Sequence, residues 1–214
     1  MVNTKSHAKD KSSKPAGAVK STRPNWDEFF TALTLFYSTR GTCDRLRAGC
    51  ILVKENMVVS AGYNGSLPGE SHCDDAGHLM VEGHCVRTLH SEINAIRNCK
   101  NPDLLKGATA YLIATPCFLC LKALLGYGVG RIVFTPFYDN ASYEWTDNKE
   151  MKKFIDSVKS KNAVSIEFSK VDFRELFQKF TDRLQGPGGV LKNLPSIKLV
   201  YENEGDGIDE IRLV

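Results

Sequence analysis

No run in this chain approaches the roughly 20 apolar residues that a membrane-spanning helix needs. The N-terminus lacks the apolar core of a secretory signal, and its basic first segment presents no apolar helical face of the mitochondrial kind. An internal repeat is also missing. Charge is nearly balanced, 28 Lys and Arg against 25 Asp and Glu, for a net charge of +3. The excess is concentrated in the first segment, where Lys5, Lys9, Lys11, Lys14, Lys20 and Arg23 face Asp10 alone. The middle is therefore near neutral and offers no basic face for a nucleic-acid polymer. Seven cysteines are an odd number without a secretory context. They point to a reducing compartment in which thiols serve a metal rather than a disulfide framework. These absences predict a cytoplasmic protein, with nuclear and mitochondrial addresses left open.

The 214 residues suffice for one domain with a sizeable core. Residues 1–24 read as a disordered basic tail, because Lys, Ser, Ala, Gly and Pro follow one another without periodicity. Order is expected from Asn25, a good N-cap, with Asp27 and Glu28 suited to a first helical turn. Trp26, Phe29, Phe30, Leu33, Phe36 and Tyr37 follow at helical spacing and predict a core-facing or subunit-facing stripe, with Phe29, Phe30 and Phe36 in the core. Strands over 48–53 and 57–63 make a hairpin around Lys54-Glu55-Asn56. A long loop is expected over 64–83, then a helix over 88–99, a strand over 108–114, a helix over 118–127 and a strand over 131–134. Further helix, strand and helix fall at 149–161, 164–168 and 172–185. This alternation predicts an α/β domain over 25–185 with βαβ units. Gly186-Pro187-Gly188-Gly189 then opens a C-terminal extension, 186–214, whose run Ile197–Tyr201 is a candidate strand.

The chemistry sits in two short motifs. His90-Ser91-Glu92 opens a helix, and Pro116-Cys117-Phe118-Leu119-Cys120 follows a strand. One imidazole and two thiols form the ligand set of a catalytic zinc that keeps its fourth position open. A helix start after the strand would hold the thiols as thiolates, with Pro116 in its first turn. Glu92, two residues after the histidine, is placed to move protons beside that open position. C-x-x-C by itself equally describes a structural knuckle or redox pair; the upstream H-x-E is what tips the reading.

Through H-x-E and P-C-x-x-C the chain resembles the cytidine deaminase superfamily. Gly62-Tyr63-Asn64-Gly65, Cys73-Asp74-Asp75 and His84-Cys85-Val86-Arg87-Thr88 narrow the resemblance to the deoxycytidylate (dCMP) deaminase family, over roughly residues 27–139. The resemblance implies a three-layer α/β/α fold with a central mixed sheet and zinc-dependent hydrolysis of dCMP to dUMP and ammonia, in the supply of dUMP and dTTP. It also implies a homohexamer, and regulation by dCTP and dTTP, with Mg2+ as a companion of a nucleotide effector. By position, Asn64 and Asn94 would line the substrate pocket, and Gly62, Tyr63, Asn64 and Gly65 would lie near an effector. Tyr138, after a strand, is the better aromatic candidate for the pyrimidine, with Phe118 second. Arg47 is the substrate-binding cation expected first, beside Arg87, Arg97 and Lys100 as phosphate candidates. Some family members hold a second, structural zinc with cysteines at the positions of Cys43 and Cys73; Cys85 and one of His78 or His84 could complete it. Two other readings compete. A deaminase acting on a base in RNA or single-stranded DNA would need the basic groove that the middle lacks. An inactive zinc-stabilised regulatory module would have no use for Glu92.

Overall fold

The computed structural model describes residues 22–135, 148–194, 199–202 and 210–213. Helix α1 is Trp26–Ser38, and its start is a reciprocal cap. The Asn25 side chain accepts from the Glu28 N–H at 2.9 Å, and the Glu28 carboxylate accepts from the Asn25 N–H at 2.7 Å. Strands β1 (Gly49–Lys54) and β2 (Met57–Tyr63) form the expected antiparallel hairpin. Glu55 and Asn56 at its tip both take positive φ, the conformation that a two-residue turn needs to follow the strand twist.

The segment read as a long loop contains short ordered pieces. They are β3 (Gly65–Ser66), the single-turn α2 (Cys73–Ala76), β4 (Met80–Val81), β5 (His84–Cys85) and β6 (Thr88–Leu89). β3 pairs with β6, and β4 with β5. Helix α3 is Ser91–Asn98, so the helix expected from residue 88 begins three residues later. Residues 88–89 are drawn instead into pairing with Gly65 and Ser66. There follow β7 (Thr109–Leu112), α4 (Phe118–Gly126), β8 (Arg131–Phe134), α5 (Lys149–Asn162), β9 (Ser165–Phe168) and α6 (Phe173–Gln185). β10 (Leu199–Glu202) pairs antiparallel with β11 (Glu210–Leu213).

The central sheet has the order β2-β1-β7-β8-β9. Its β2–β1 and β1–β7 pairs are antiparallel, and its β7–β8 and β8–β9 pairs are parallel. Alternating side chains of β1 divide between two layers, as the pleat requires. Cys50 and Leu52 pack with Ala95 of α3, Leu121 and Leu124 of α4 and Ile155 of α5. Ile51 and Val53 face Phe30 of α1 on the other side. The fold is thus α/β with helices on both faces of a mixed sheet.

Two expectations about α1 are corrected. Phe30 is buried, but Phe29 is exposed, and Phe36 is 65% exposed. The helix lies too close to β1 for large side chains: a Cβ on Gly49 would stand 2.5 Å from the Thr34 carbonyl oxygen. The face that meets the strand uses Thr34 and Ser38, whose hydroxyls donate to the carbonyls of Phe30 and Leu35. Phe29 and Phe36 are left on the far side.

By contact density the chain divides into a compact unit Pro24–Phe180 and a second that takes in the described residues from Thr181 on. The division falls inside α6, ahead of the expected break at Gly186. No helix among the described residues is long and apolar enough to cross a membrane.

Candidate metal-dependent active site

His90 is the N-cap of α3, in extended conformation, so its ring can turn away from the helix. Cys117 is the N-cap of α4, and its Sγ accepts from the Cys120 N–H at 3.4 Å. Pro116 therefore precedes the cap rather than occupying the first turn, as the sequence had suggested. The two helix starts meet. His90 Nδ1 lies 3.5 Å from Cys117 Sγ and 3.4 Å from Cys120 Sγ. All three ligand atoms fall within 4.8 Å of one another, a group suited to a zinc ion.

One contributor to this geometry leaves no motif. Ala114, between β7 and Pro116, has φ of 88°, a left-handed conformation that an alanine adopts only under constraint. Its N–H is fixed by Thr135 Oγ1 at 3.3 Å, and Thr135 is fully buried. This turn redirects the chain from the sheet to the mouth of α4.

The electrostatics fit a cation. The Cys120 thiol and His90 hydrogen-bond to Cys117 and pull its pKa well down; the same contact, with burial, pushes Cys120 up. Thiols held this close to one another and to an imidazole suit a divalent ion, which binds thiolates and displaces their protons. His90 is raised above the usual imidazole range by its bond to Cys117. Glu92 is buried, and Ser91 Oγ donates to its Oε2 at 3.0 Å. Burial raises the Glu92 carboxyl above the ordinary range, against the pull of His90. Burial favours the protonated form of this carboxyl, which suits a group that must hold a proton and give it back.

Around this centre the expected residues have varied fates. Asn94, in α3, donates from Nδ2 to the Tyr63 carbonyl at 2.8 Å, while its buried Oδ1 has no hydrogen-bond partner among the described residues. Asn64 is committed to the main chain: its Oδ1 accepts from the Ala48 N–H at 2.8 Å, and its Nδ2 donates to the Leu46 carbonyl at 2.7 Å. It braces the 41–48 loop against the end of β2. Arg47 is ion-paired with Asp74 at 3.2 Å through Nη2, and its Nη1 donates to the Gly41 carbonyl. Arg87 donates to the Gly77 carbonyl. Gly62 has a packing role. A Cβ there would lie 2.3 Å from the Ala95 nitrogen and 2.4 Å from the Ser91 oxygen, so β2 runs directly against the start of α3. Tyr63 lies beneath the Arg40 guanidinium, 5.9 Å from its ring centroid. Gly65 pairs with Leu89, the residue before His90. Phe118 meets Phe154 edge-on and supports the α5 layer. Tyr138 lies outside the described residues.

A second group lies in the loop region. Cys43, Cys73, His78 and Cys85 bring their ligand atoms within 4.8 Å of one another. Cys73 and Cys85 sulfurs are 3.5 Å apart, and Cys43 Sγ is 3.7 Å from His78 Nδ1. Burial and the Cys85 thiol raise Cys73; Cys85 is drawn down, despite its burial, by the Arg87 N–H and by Cys73 and His78. His84 is outside the group. Neighbours in a strand point to opposite faces, so β5 can turn only one of His84 and Cys85 inward. The sequence reading missed Asp44, whose Oδ1 lies 3.0 Å from His78 Nε2. Its signal was only adjacency to Cys43.

Residues 24–136 match the model of the cytidine and deoxycytidylate deaminase zinc-binding region. ComE operon protein 2 of Bacillus subtilis is 35% identical over 56% of this chain and 65% of its own length. The deoxycytidylate deaminase of Mycobacterium phage D29 is 32% identical over 52% of this chain and 95% of its own. That of Saccharomyces cerevisiae is 28% identical over 59% of this chain but only 43% of its own. The chain thus spans less than two thirds of the Bacillus and yeast relatives. Among solved structures, the dCMP deaminase of cyanophage S-TIM5, in complex with dCMP and dUMP, covers 69% of this chain and 98% of its own at a TM-score of 0.53 and 22% identity, a likeness of fold. With over half its length matched by that zinc-binding region, the chain belongs to the cytidine and deoxycytidylate deaminase family.

Proposed function

We propose that the chain is a zinc-dependent hydrolase that converts dCMP and water to dUMP and ammonia. The observation that carries this reading is the meeting of His90, Cys117 and Cys120 at two helix starts, with the buried Glu92 carboxyl on the same first turn as His90. Zinc held by that trio would keep one position open and supply a water of lowered pKa. Glu92 takes one proton from the attacking water and passes it to the ring nitrogen, then takes the second from the hydroxyl added to the carbon and gives it to the amine, which leaves as ammonia while the carbonyl forms. The unpartnered Asn94 Oδ1 is an acceptor suited to a donor on the nucleotide. Relatives named deoxycytidylate deaminase support the choice of dCMP among cytosine compounds.

The reading includes a second, structural zinc in the Cys43, Cys73, His78 and Cys85 group, supported by three thiols and an imidazole at tetrahedral-site spacing. It also takes in a hexameric assembly with activation by dCTP and inhibition by dTTP, Mg2+ accompanying the nucleotide. A reducing compartment, cytoplasmic or nuclear, suits seven unpaired cysteines. Purified protein incubated with dCMP, dCTP, cytidine and a cytosine-bearing oligonucleotide should release ammonia from dCMP and carry about two zinc ions per chain. Turnover of the oligonucleotide with dCMP untouched would overturn the substrate assignment. Light scattering with and without dCTP tests the assembly, and rates with each triphosphate test the regulation.

A further inference from the structure

The second thiol group is tied to its surroundings by two carboxylate contacts of different placement. Arg47 reaches Asp74 at 3.2 Å and ties the 41–48 loop to the start of α2, and Asp74 is not paired with the ring of His78. Asp44 reaches a ligand ring itself: its Oδ1 is 3.0 Å from His78 Nε2, while the opposite ring nitrogen, Nδ1, faces Cys43 Sγ at 3.7 Å. Both pairs are substantially exposed, and exposed ion pairs contribute little to folding stability. A metal-binding imidazole, by contrast, needs its far nitrogen held. The residue that accepts from that N–H fixes the tautomer, aims the ring and strengthens the ligand.

We propose that Asp44 is a positioning residue for the second metal group, accepting the Nε2–H of His78 so that Nδ1 is the nitrogen presented to the ion. The proposal rests on the reading of Cys43, Cys73, His78 and Cys85 as a zinc site. The donor set supports that fit, since three thiols and one imidazole converge within 4.8 Å. Asp44 sits next to Cys43, so one short stretch supplies both a sulfur ligand and the brace for the nitrogen ligand on α2's far side. His78 follows α2 by two residues and lies in a region held by few buried contacts, with Gly77 before it at φ of 72°. Among the described residues the other groups that meet its ring are the thiols of Cys43 and Cys85, themselves members of the group, so without the carboxylate ordering the ring would fall to the ion and its ligands.

The test uses the full zinc-loaded chain and a graded series of chelators, with bound zinc counted at each step. Asp44→Ala should lower the affinity of one ion per chain about 10- to 100-fold and leave the other ion unmoved. Asp44→Glu should restore most of the loss. Asp74→Asn, which removes the neighbouring ion pair but no contact to a ligand ring, should leave both affinities unchanged. Cobalt substitution adds a spectroscopic readout, since a loosened imidazole alters the visible bands of a three-thiolate site. If the wild-type chain binds only one zinc, the second-site reading falls and Asp44 with it. If it binds two and Asp44→Ala releases neither more readily, the positioning role alone is refuted. Equal weakening by Asp44→Ala and Asp74→Asn would likewise refute it, reducing Asp44 to a general loop tie.

Discussion

Gly62→Ala is the sharpest test of how the proposed acid–base residue is placed. The added methyl would stand 2.3 Å from the Ala95 nitrogen, 2.4 Å from the Ser91 oxygen and 2.8 Å from the Asn94 carbonyl carbon. All three atoms are main chain, so no side chain can swing aside. Ordinary contact begins near 3.4 Å, which obliges β2 and α3 to separate by about 1 Å. Overpacking of this kind costs about 1–3 kcal/mol of stability. The displaced element is the first turn of α3, which holds Ser91 and Glu92 and is capped by His90. A misplacement of about 1 Å at a reacting group lowers rate about 100-fold. We therefore expect kcat/KM for dCMP to fall by about two orders of magnitude, with an earlier denaturation midpoint. Gly65→Ala is the control. Its methyl would meet only the Tyr63 ring, at 3.1 Å, which can move. Both glycines lie in the Gly62–Gly65 run that the family resemblance associates with effectors, so an effector role would make both variants alter the nucleotide response while sparing basal turnover. Wild-type kcat/KM and wild-type stability in Gly62→Ala would refute the packing argument.

Other perturbations isolate single contributions. Glu92→Gln keeps the shape of a buried side chain but cannot shuttle protons; turnover should drop about 100- to 10,000-fold with zinc content unchanged, and a rate within tenfold of wild type would show the assignment to be wrong. Asp27 is bonded to Arg131 at 2.7 and 2.8 Å and to the Tyr111 hydroxyl at 2.6 Å. The Arg131 guanidinium holds its carboxyl below the usual 3.8. A depressed carboxyl stabilises the fold above its unfolded value and loses that contribution as pH falls through the folded one. The stability gap between wild type and Asp27→Asn should therefore stay constant from neutral pH to about pH 5 and close below about pH 4; urea titrations that find the gap unchanged at pH 3 would contradict it.

Much of the proposed catalytic site could be read from the chain because its residues are carried by short local motifs. C-x-x-C at a helix start brings two sulfurs together through one turn, and H-x-E places an imidazole and a carboxyl at the next. What escaped was set by pairing between distant residues. The start of α3 was misjudged because Thr88 and Leu89 have no strand periodicity of their own and become a strand only through Ser66 and Gly65. Phe36 carried the apolar signature of a core residue, yet the approach of Gly49 to the Thr34 carbonyl reserved that face for small side chains. The choice between His78 and His84 depended on which way β5 turns Cys85, and Ala114 gave no sign of a positive φ. β11 lies in an acidic stretch whose composition suggested no strand, and it exists through its partner β10.

The two metal-ligand groups are not independent features of the loop region. Cys43 follows Thr42, whose N–H donates to the Asn64 carbonyl at 3.0 Å, and the Asn64 side chain grips Ala48 and Leu46 in return. Tyr63, the neighbour of Asn64, accepts from Asn94 of α3, and Gly62 before it lies against the same helix. Two residues further on, Gly65 pairs with Leu89 and so delivers the chain to His90. Residues 62–65 thus touch the loop that carries the first ligand of one group and the helix that presents His90 and Glu92. This gives the family's G-Y-N-G run a physical task that requires no bound effector: it sets the distance between β2 and α3. An ion in the Cys43 group would hold the 41–48 loop against Asn64 and so narrow the positions open to the start of α3. Order that an ion gave the second group would reach the proposed proton shuttle through these main-chain contacts and the amide side chains of Asn64 and Asn94.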